Sequence, residues 1–154
     1  MRINYKGMLD MELSNKGVNF IRDVEGCKLY SYLDTGGVWT IGVGHTGPEV
    51  CKGLTWTVEQ VNAALSKDVR EASDAVNKLV KVKLNQDQFD ALVSFTFNVG
   101  VNAFKNSTLL RKLNAGDFMG VGAEFLRWNK DNGKEVLGLT NRRKAEVQLF
   151  NSKR

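Results

Sequence analysis

Apolar residues recur along this chain at two spacings, which separate a short strand-bearing stretch from a longer helical one. Val18, Ile21 and Val24 mark one face of a helix. Ser14 stands where an N-cap belongs and Gly26 where a left-handed C′ residue belongs, so a helix is predicted between them. Lys28–Tyr32 and Val38–Val43 flank Asp34-Thr35-Gly36-Gly37, the pattern of a β-hairpin with a glycine-containing turn. Thr57 and Gln60 make a capping box before Val58, Val61, Leu65, Val69, Ala72, Val76 and Leu79. That pattern predicts one helix over about 58–80, which at roughly 1.5 Å per residue would span a small domain. Asn85 caps a segment carrying Phe89, Leu92, Val93, Phe95, Phe97 and Val99, closed by Gly100. It is apolar on nearly every side and suits the centre of a core. Shorter helices are expected near 107–115, at 117–129 with Asp117 as cap, and at 140–151 with Thr140 as cap. The class is α+β, a small glycine-rich sheet followed by a helical body.

Composition sharpens this picture mainly by exclusion. A chain of 154 residues with 42% hydrophobic and 25% charged content is that of one soluble globular domain. No apolar run approaches the roughly 20 residues of a membrane-spanning helix. Between Met1 and Phe20 no basic stretch precedes an apolar core, so synthesis in a cytosol without an ordinary signal peptide is expected. One His and two Cys are too few for a closed zinc site, and any triad would have to use His45. No metal and no cofactor are expected, and carboxylates are left to carry any proton chemistry. Whether Cys27 and Cys51 are bridged or free depends on a separation that spacing does not give.

The net charge of +5 is uneven, because residues 142–154 hold five basic groups against one acidic group. A basic end on a nearly neutral body suits an anionic surface.

Three residues invite chemistry when taken together. Glu25 closes a predicted helix, where the macrodipole disfavours a carboxylate by about 0.3–1 kcal/mol and would raise its pKa. Asp34 sits at the hairpin turn and Thr40 on the returning strand. Singly, each has a plainer reading as a surface Glu, a turn Asp and a β-former. A helix end feeding straight into a hairpin can nevertheless gather two carboxylates and a hydroxyl at one site. Glycoside hydrolysis uses two carboxylates in different environments.

The run Glu25-Gly26, Tyr32, Asp34 and Gly37-Val38-Trp39-Thr40-Ile41-Gly42-Val43-Gly44-His45-Thr46-Gly47 resembles the signature of phage-type lysozymes, glycoside hydrolase family 24. The E-x8-D-x5-T spacing matches without a gap. The resemblance continues through Asn85–Leu92, Phe97-Asn98-Val99-Gly100, Ser107–Asn114, Phe125–Trp128 and Gly138–Arg143, covering about residues 14–150 in order. It implies a mainly helical lysozyme-like fold in one domain. A small antiparallel β-sheet lobe at about 27–57 and a connecting helix at about 58–80 would precede a helical C-terminal lobe. That lobe would take about 81–154 plus the N-terminal helix, and the lobes would flank a cleft.

The resemblance further implies a muramidase acting on bacterial peptidoglycan. Glu25 would be the general acid, Asp34 the charge-stabilising and water-directing carboxylate, and Thr40 the holder of the water. Phe97 and Asn98 match a cleft-floor dipeptide that binds sugar, although Phe97 suits the core equally well. Arg142 aligns with an arginine that approaches the acid in relatives. His45 would pair with Asp68 on the long helix, an ion pair expected to raise the His pKa, and Trp128 is expected in the core. The resemblance makes the protein a monomer that binds no nucleic acid, does not insert into membrane, and waits in the host cytoplasm for holin-dependent release to the wall. Met1–Asn15 does not look like an apolar anchor.

Other classes fit less well. A nucleic-acid-binding module would explain the charge, but no helix-turn-helix, zinc finger or aromatic–basic sheet is visible. A non-catalytic wall-binding relative would not need an intact Glu25, Asp34 and Thr40. A lytic transglycosylase needs no hydrolytic water, and so gives Asp34 and Thr40 little to do.

Overall fold

The computed structural model describes Ile3 and residues 9–152. Met1, Arg2, residues 4–8, and Lys153 and Arg154 of the basic end lie outside the described residues. The chain forms two compact units. One is Val18–Arg70, and the other joins Glu71 onward to the described residues up to Gly17. Among the described residues no helix is long and apolar enough to cross a membrane.

Helix α1, Asn15–Glu25, runs from one unit into the other. Ser14 caps it, its Oγ accepting the Gly17 N–H at 2.9 Å. At the far end Gly26 takes φ +84° and donates its N–H to the Arg22 carbonyl at 3.0 Å, the left-handed stop that a glycine there predicts. Within Val18–Arg70, β1 (Lys28–Leu33) pairs antiparallel with β2 (Trp39–Gly42), bringing Tyr32 opposite Thr40 and Leu33 opposite Trp39. The segment 54–56 lies along β1, with Ser31 N–H on the Leu54 carbonyl at 2.9 Å and Trp56 N–H on Leu29 at 2.8 Å. Helix α2, Val58–Asp68, starts with the predicted Thr57/Gln60 capping box. Ile21, Ile41, Val61, Leu65 and Val69 are buried in this unit.

The helix expected over 58–80 is two helices, α2 and α3 (Arg70–Leu79), parting at Val69. Val69 keeps right-handed dihedrals and its N–H still reaches the Leu65 and Lys67 carbonyls. The apolar spacing therefore runs on unbroken, and side-chain periodicity does not register the interruption.

In the larger unit, α4 (Gln86–Val99) opens on the Asn85/Gln88 capping box, and its Phe89, Leu92, Val93 and Phe95 are wholly buried. Its two buried carboxylates are both met from outside the helix. Asp87 takes Lys16 at 3.2 Å, and Asp90 takes the Ser14 hydroxyl, the Ser14 N–H and Gln86. Gly17 is required beside Asp90, since a Cβ there would stand 2.7 Å from the carboxyl carbon. Short α5 (Val101–Lys105), α6 (Thr108–Asn114, capped by Ser107) and α7 (Phe118–Leu126, capped by Asp117) follow. Phe95 is the hub of the core, meeting Phe104, Phe125 and Trp128 edge to face at 6.3, 5.3 and 5.6 Å.

Four expectations for the C-terminal part are corrected. The helix expected over 117–129 stops at Leu126, and a hairpin of β3 (Lys130–Asp131) and β4 (Lys134–Glu135) follows. Its turn is Asn132-Gly133, at φ 51° and 77°, an Asn-Gly hairpin signal hidden by charged rather than alternating apolar flanks. Helix α8 runs Leu137–Phe150, so Thr140 is not its cap; that hydroxyl accepts from Asn129 at 3.0 Å. The basic end is not an open patch either, because Arg142 and Arg143 are buried and paired with Glu146. Trp128 is half-buried rather than core, with one edge on Phe95.

Candidate active site

Glu25, Asp34, Thr40, His45 and Asp68 all belong to Val18–Arg70. Glu25 is the exposed last residue of α1, and Gly26 turns the chain directly into β1. The end of that helix is held to α2 by Arg22, whose guanidinium donates to Asn62 Oδ1 at 3.1 Å.

Asp34 is built into the turn it starts. Its carbonyl accepts the Gly37 N–H at 3.0 Å, and its N–H reaches the Val38 carbonyl at 3.0 Å. Side-chain Oδ1 accepts from the Gly36 and Val38 N–H groups at 2.8 and 2.9 Å. Among the described residues nothing donates to Oδ2, so the carboxylate is clamped by one oxygen and presents the other. Gly37 supplies the φ of +80° that the turn requires. Thr40, on the buried strand β2, donates its hydroxyl proton to the Val38 carbonyl at 3.0 Å. Its oxygen then keeps lone pairs for an incoming donor such as water. Val38 thus orients both side chains, binding Asp34 through its N–H and Thr40 through its carbonyl.

The loop after β2 is held by His45. Ile41 and His45 exchange two backbone hydrogen bonds at 2.9 Å across a tight turn. Gly42 within it takes φ +67°, and a Cβ there would come 3.3 Å from the Trp56 ring. The imidazole is gripped at both nitrogens, with Nδ1 2.7 Å from Asp68 Oδ2 and Nε2 2.8 Å from Glu49 Oε2, and it lies 5.3 Å from Trp56. Partial burial pulls the His45 pKa down, but the bonds and charges of Glu49 and Asp68 outweigh it and raise it above 6.5. The same contact lowers the Glu49 carboxyl. Glu49 went unread in the sequence because its partner is a loop residue four positions away that no helical spacing flags. The arrangement makes His45 a brace for the loop next to Thr40, with both ring nitrogens occupied.

Phe97, Asn98 and Arg142 belong to the helical unit. Phe97 is half-buried and Asn98 exposed, unlike Phe89 and Phe95 on the same helix. Arg142 is buried, donating to the Ser94 carbonyl at 3.0 Å and lying 3.2 Å from Glu146. Glu146 also meets Arg143 at 2.8 Å and the Ser94 hydroxyl at 2.5 Å. Burial is the largest influence on Glu146 and pushes its carboxyl up, against the pull of Arg143, Ser94 and Arg142. Cys27 and Cys51 are exposed free thiols, and among the described residues no cluster could hold a metal ion.

The fold has clear relatives. The backbone superimposes on a crystal structure of a P22 lysozyme mutant with a TM-score of 0.87 at 39% identity, covering 92% of this chain and 99% of that one. The muramidase domain of SpmX from Asticaccaulis excentricus gives 0.84 at 36% identity, covering 92% and 99%. The family model described as Phage lysozyme matches residues 22–146, and the chain belongs to that family. An endolysin of Bacillus phage PZA is 46% identical over 92% of this chain, which spans only 56% of that protein. The endolysin of Salmonella phage P22 is 42% identical over 91% of this chain and 98% of its own.

Proposed function

We propose that this protein is a muramidase, an endolysin that hydrolyses the β-1,4 bond between N-acetylmuramic acid and N-acetylglucosamine in bacterial peptidoglycan. The observation that carries the reading is the hairpin in which Asp34 and Thr40 share Val38, directly downstream of a carboxylate at a helix end. Glu25 donates its proton to the leaving glycosidic oxygen. The free oxygen of Asp34 faces the positive charge that develops on the sugar, and Thr40 accepts a hydrogen bond from the attacking water. Water's oxygen bonds to the anomeric carbon as the glycosidic C–O bond breaks. Phe97 and Asn98 bind sugar. The protein works as a monomer, without cofactor, and waits in the host cytoplasm until a holin opens the way to the wall.

Glu25→Gln is expected to abolish clearing of outer-membrane-permeabilised bacteria while far-UV circular dichroism stays unchanged. Near-wild-type lysis by that variant would refute the assignment. Mass spectrometry of digested peptidoglycan separates hydrolysis, whose fragments carry an added water, from transglycosylation, whose fragments do not.

A further inference from the structure

We propose that Tyr32 is a positioning residue for the hydrolytic water, its ring standing beside Thr40 and closing the seat of that water to bulk solvent and to larger acceptors. The proposal rests on the muramidase reading and names the residue that makes water, rather than another hydroxyl, the nucleophile.

The register of the hairpin carries the placement. Tyr32 on β1 lies directly opposite Thr40 on β2. Residues so paired in an antiparallel ladder have their Cβ atoms roughly 4.5–5.5 Å apart on one face. Side chains alternate along a strand, so Asp34 and Val38 share that face, while Leu33, Trp39 and Ile41 take the other. Thr40 is only 4% exposed, and its own strand does not cover it. Two positions before it Val38 is 48% exposed, and two positions after it Gly42 has no side chain. Within the hairpin, Tyr32 is the side chain left to cover Thr40. Its burial agrees, since Tyr32 is half-buried whereas Tyr30 on the same strand is 57% exposed.

Among the described residues the Tyr32 hydroxyl makes no hydrogen bond, so the ring rather than the polar end is what the hairpin uses. Tyr32 belongs to the run that carries the family resemblance, yet the steps assigned to Glu25, Asp34 and Thr40 leave it without a part. A cover over Thr40 supplies one. Thr40 spends its proton on the Val38 carbonyl and keeps its lone pairs for a donor. With the ring alongside, one water reaches those lone pairs and bulk solvent does not. The water's bonds to Thr40 and to the free oxygen of Asp34 then form in a drier, less polar site, where they are stronger and better aligned. A larger acceptor would need the space that the ring fills.

The test measures initial rates of the full chain on soluble, uncrosslinked peptidoglycan strands, with methanol added in a second series. Tyr32→Phe keeps the ring and should keep most of the wild-type rate. Tyr32→Ala should lower kcat roughly 10- to 100-fold with KM little changed, the scale of a misplaced reactant. Tyr32→Leu, which keeps apolar bulk on the strand with less reach, should fall between them. With methanol present, wild type and Tyr32→Phe should yield only fragments carrying an added water. Tyr32→Ala should also yield methyl glycosides. There the methanol oxygen bonds to the anomeric carbon as the glycosidic C–O bond breaks, Glu25 protonates the leaving oxygen, and the methanol proton passes to solvent. Mass spectrometry separates the two products, and their ratio comes from folded molecules, so partial unfolding of Tyr32→Ala does not imitate it. A loss in Tyr32→Phe as large as in Tyr32→Ala, a wild-type kcat in Tyr32→Ala, methyl glycosides from wild type, or none from Tyr32→Ala would each overturn the proposal. Glu25→Gln lysis reports on the muramidase reading separately, whatever Tyr32 does.

Discussion

The two compact units handle their charged groups in opposite ways. In Val18–Arg70 the groups assigned to chemistry sit at turns and helix ends and are held by backbone. Asp34 is gripped by two N–H groups of its own turn, and Glu25 is set by the glycine that follows it. In the helical unit one group of charges is buried and its members hold one another. Arg142, Arg143, Ser94 and Glu146 form a cluster with no backbone turn behind it. A site made of local turns can present carboxylates to a ligand with little dependence on distant packing. A buried cluster depends on each member, because removing one leaves the others charged and desolvated.

That contrast can be broken by substitution. After the loss of lysis expected for Glu25→Gln, the largest effect is expected at Asp34. Asn at this position can still accept the Gly36 and Val38 N–H bonds through its carbonyl, so the turn should survive while the negative charge is lost. The lytic rate should fall on the order of 10²–10⁴-fold with the thermal midpoint nearly unchanged. A matching loss of stability would show that the turn is not independent of its carboxylate.

Glu146→Gln probes the opposite case. It takes the Glu146 charge away from two buried guanidiniums, and urea unfolding should register a loss of about 3–5 kcal/mol. A loss below about 1 kcal/mol, the range of exposed pairs, would mean that the cluster behaves like a surface one.

The smallest effect is expected at His45, where the hairpin unit comes nearest to the style of the other. The folded His45 pKa is raised, so its stabilisation is full below the unfolded value near 6.5 and is lost as pH rises through the folded one. The folded Glu49 carboxyl is lowered, so its share is present above an unfolded value near 4.3 and is lost as pH falls through the folded one. The midpoint difference between wild type and His45→Asn should therefore be widest between those limits and narrow on both sides. A difference that stays flat with pH would assign the brace to packing against Trp56 rather than to charge.

The same contrast explains what could be read in advance. Capping at Ser14, Thr57, Asn85 and Asp117 was legible because a cap acts within three residues of itself. The Gly26 stop and the Asp34–Gly37 turn were legible for the same reason. Arg142 and Arg143 misled, since five basic residues near a chain end read as a solvated patch until α8 turned two of them inward. The split at Val69 and the early start of α8 were missed because apolar spacing reports side-chain faces, not backbone hydrogen bonds.

What the sequence alone determined was local. A carboxylate at a helix end, a second at a glycine turn and a hydroxyl on the returning strand are specified by neighbours a few positions away, through hydrogen bonds of short loop closure. Only the tertiary structure decided the rest. Glu49 and Asp68 close on His45 from 4 and 23 positions away, and Arg143 reaches back 45 positions to Asn98. Such contacts arise where burial makes an unpaired charge costly, and the partner that meets it is set by how the elements pack.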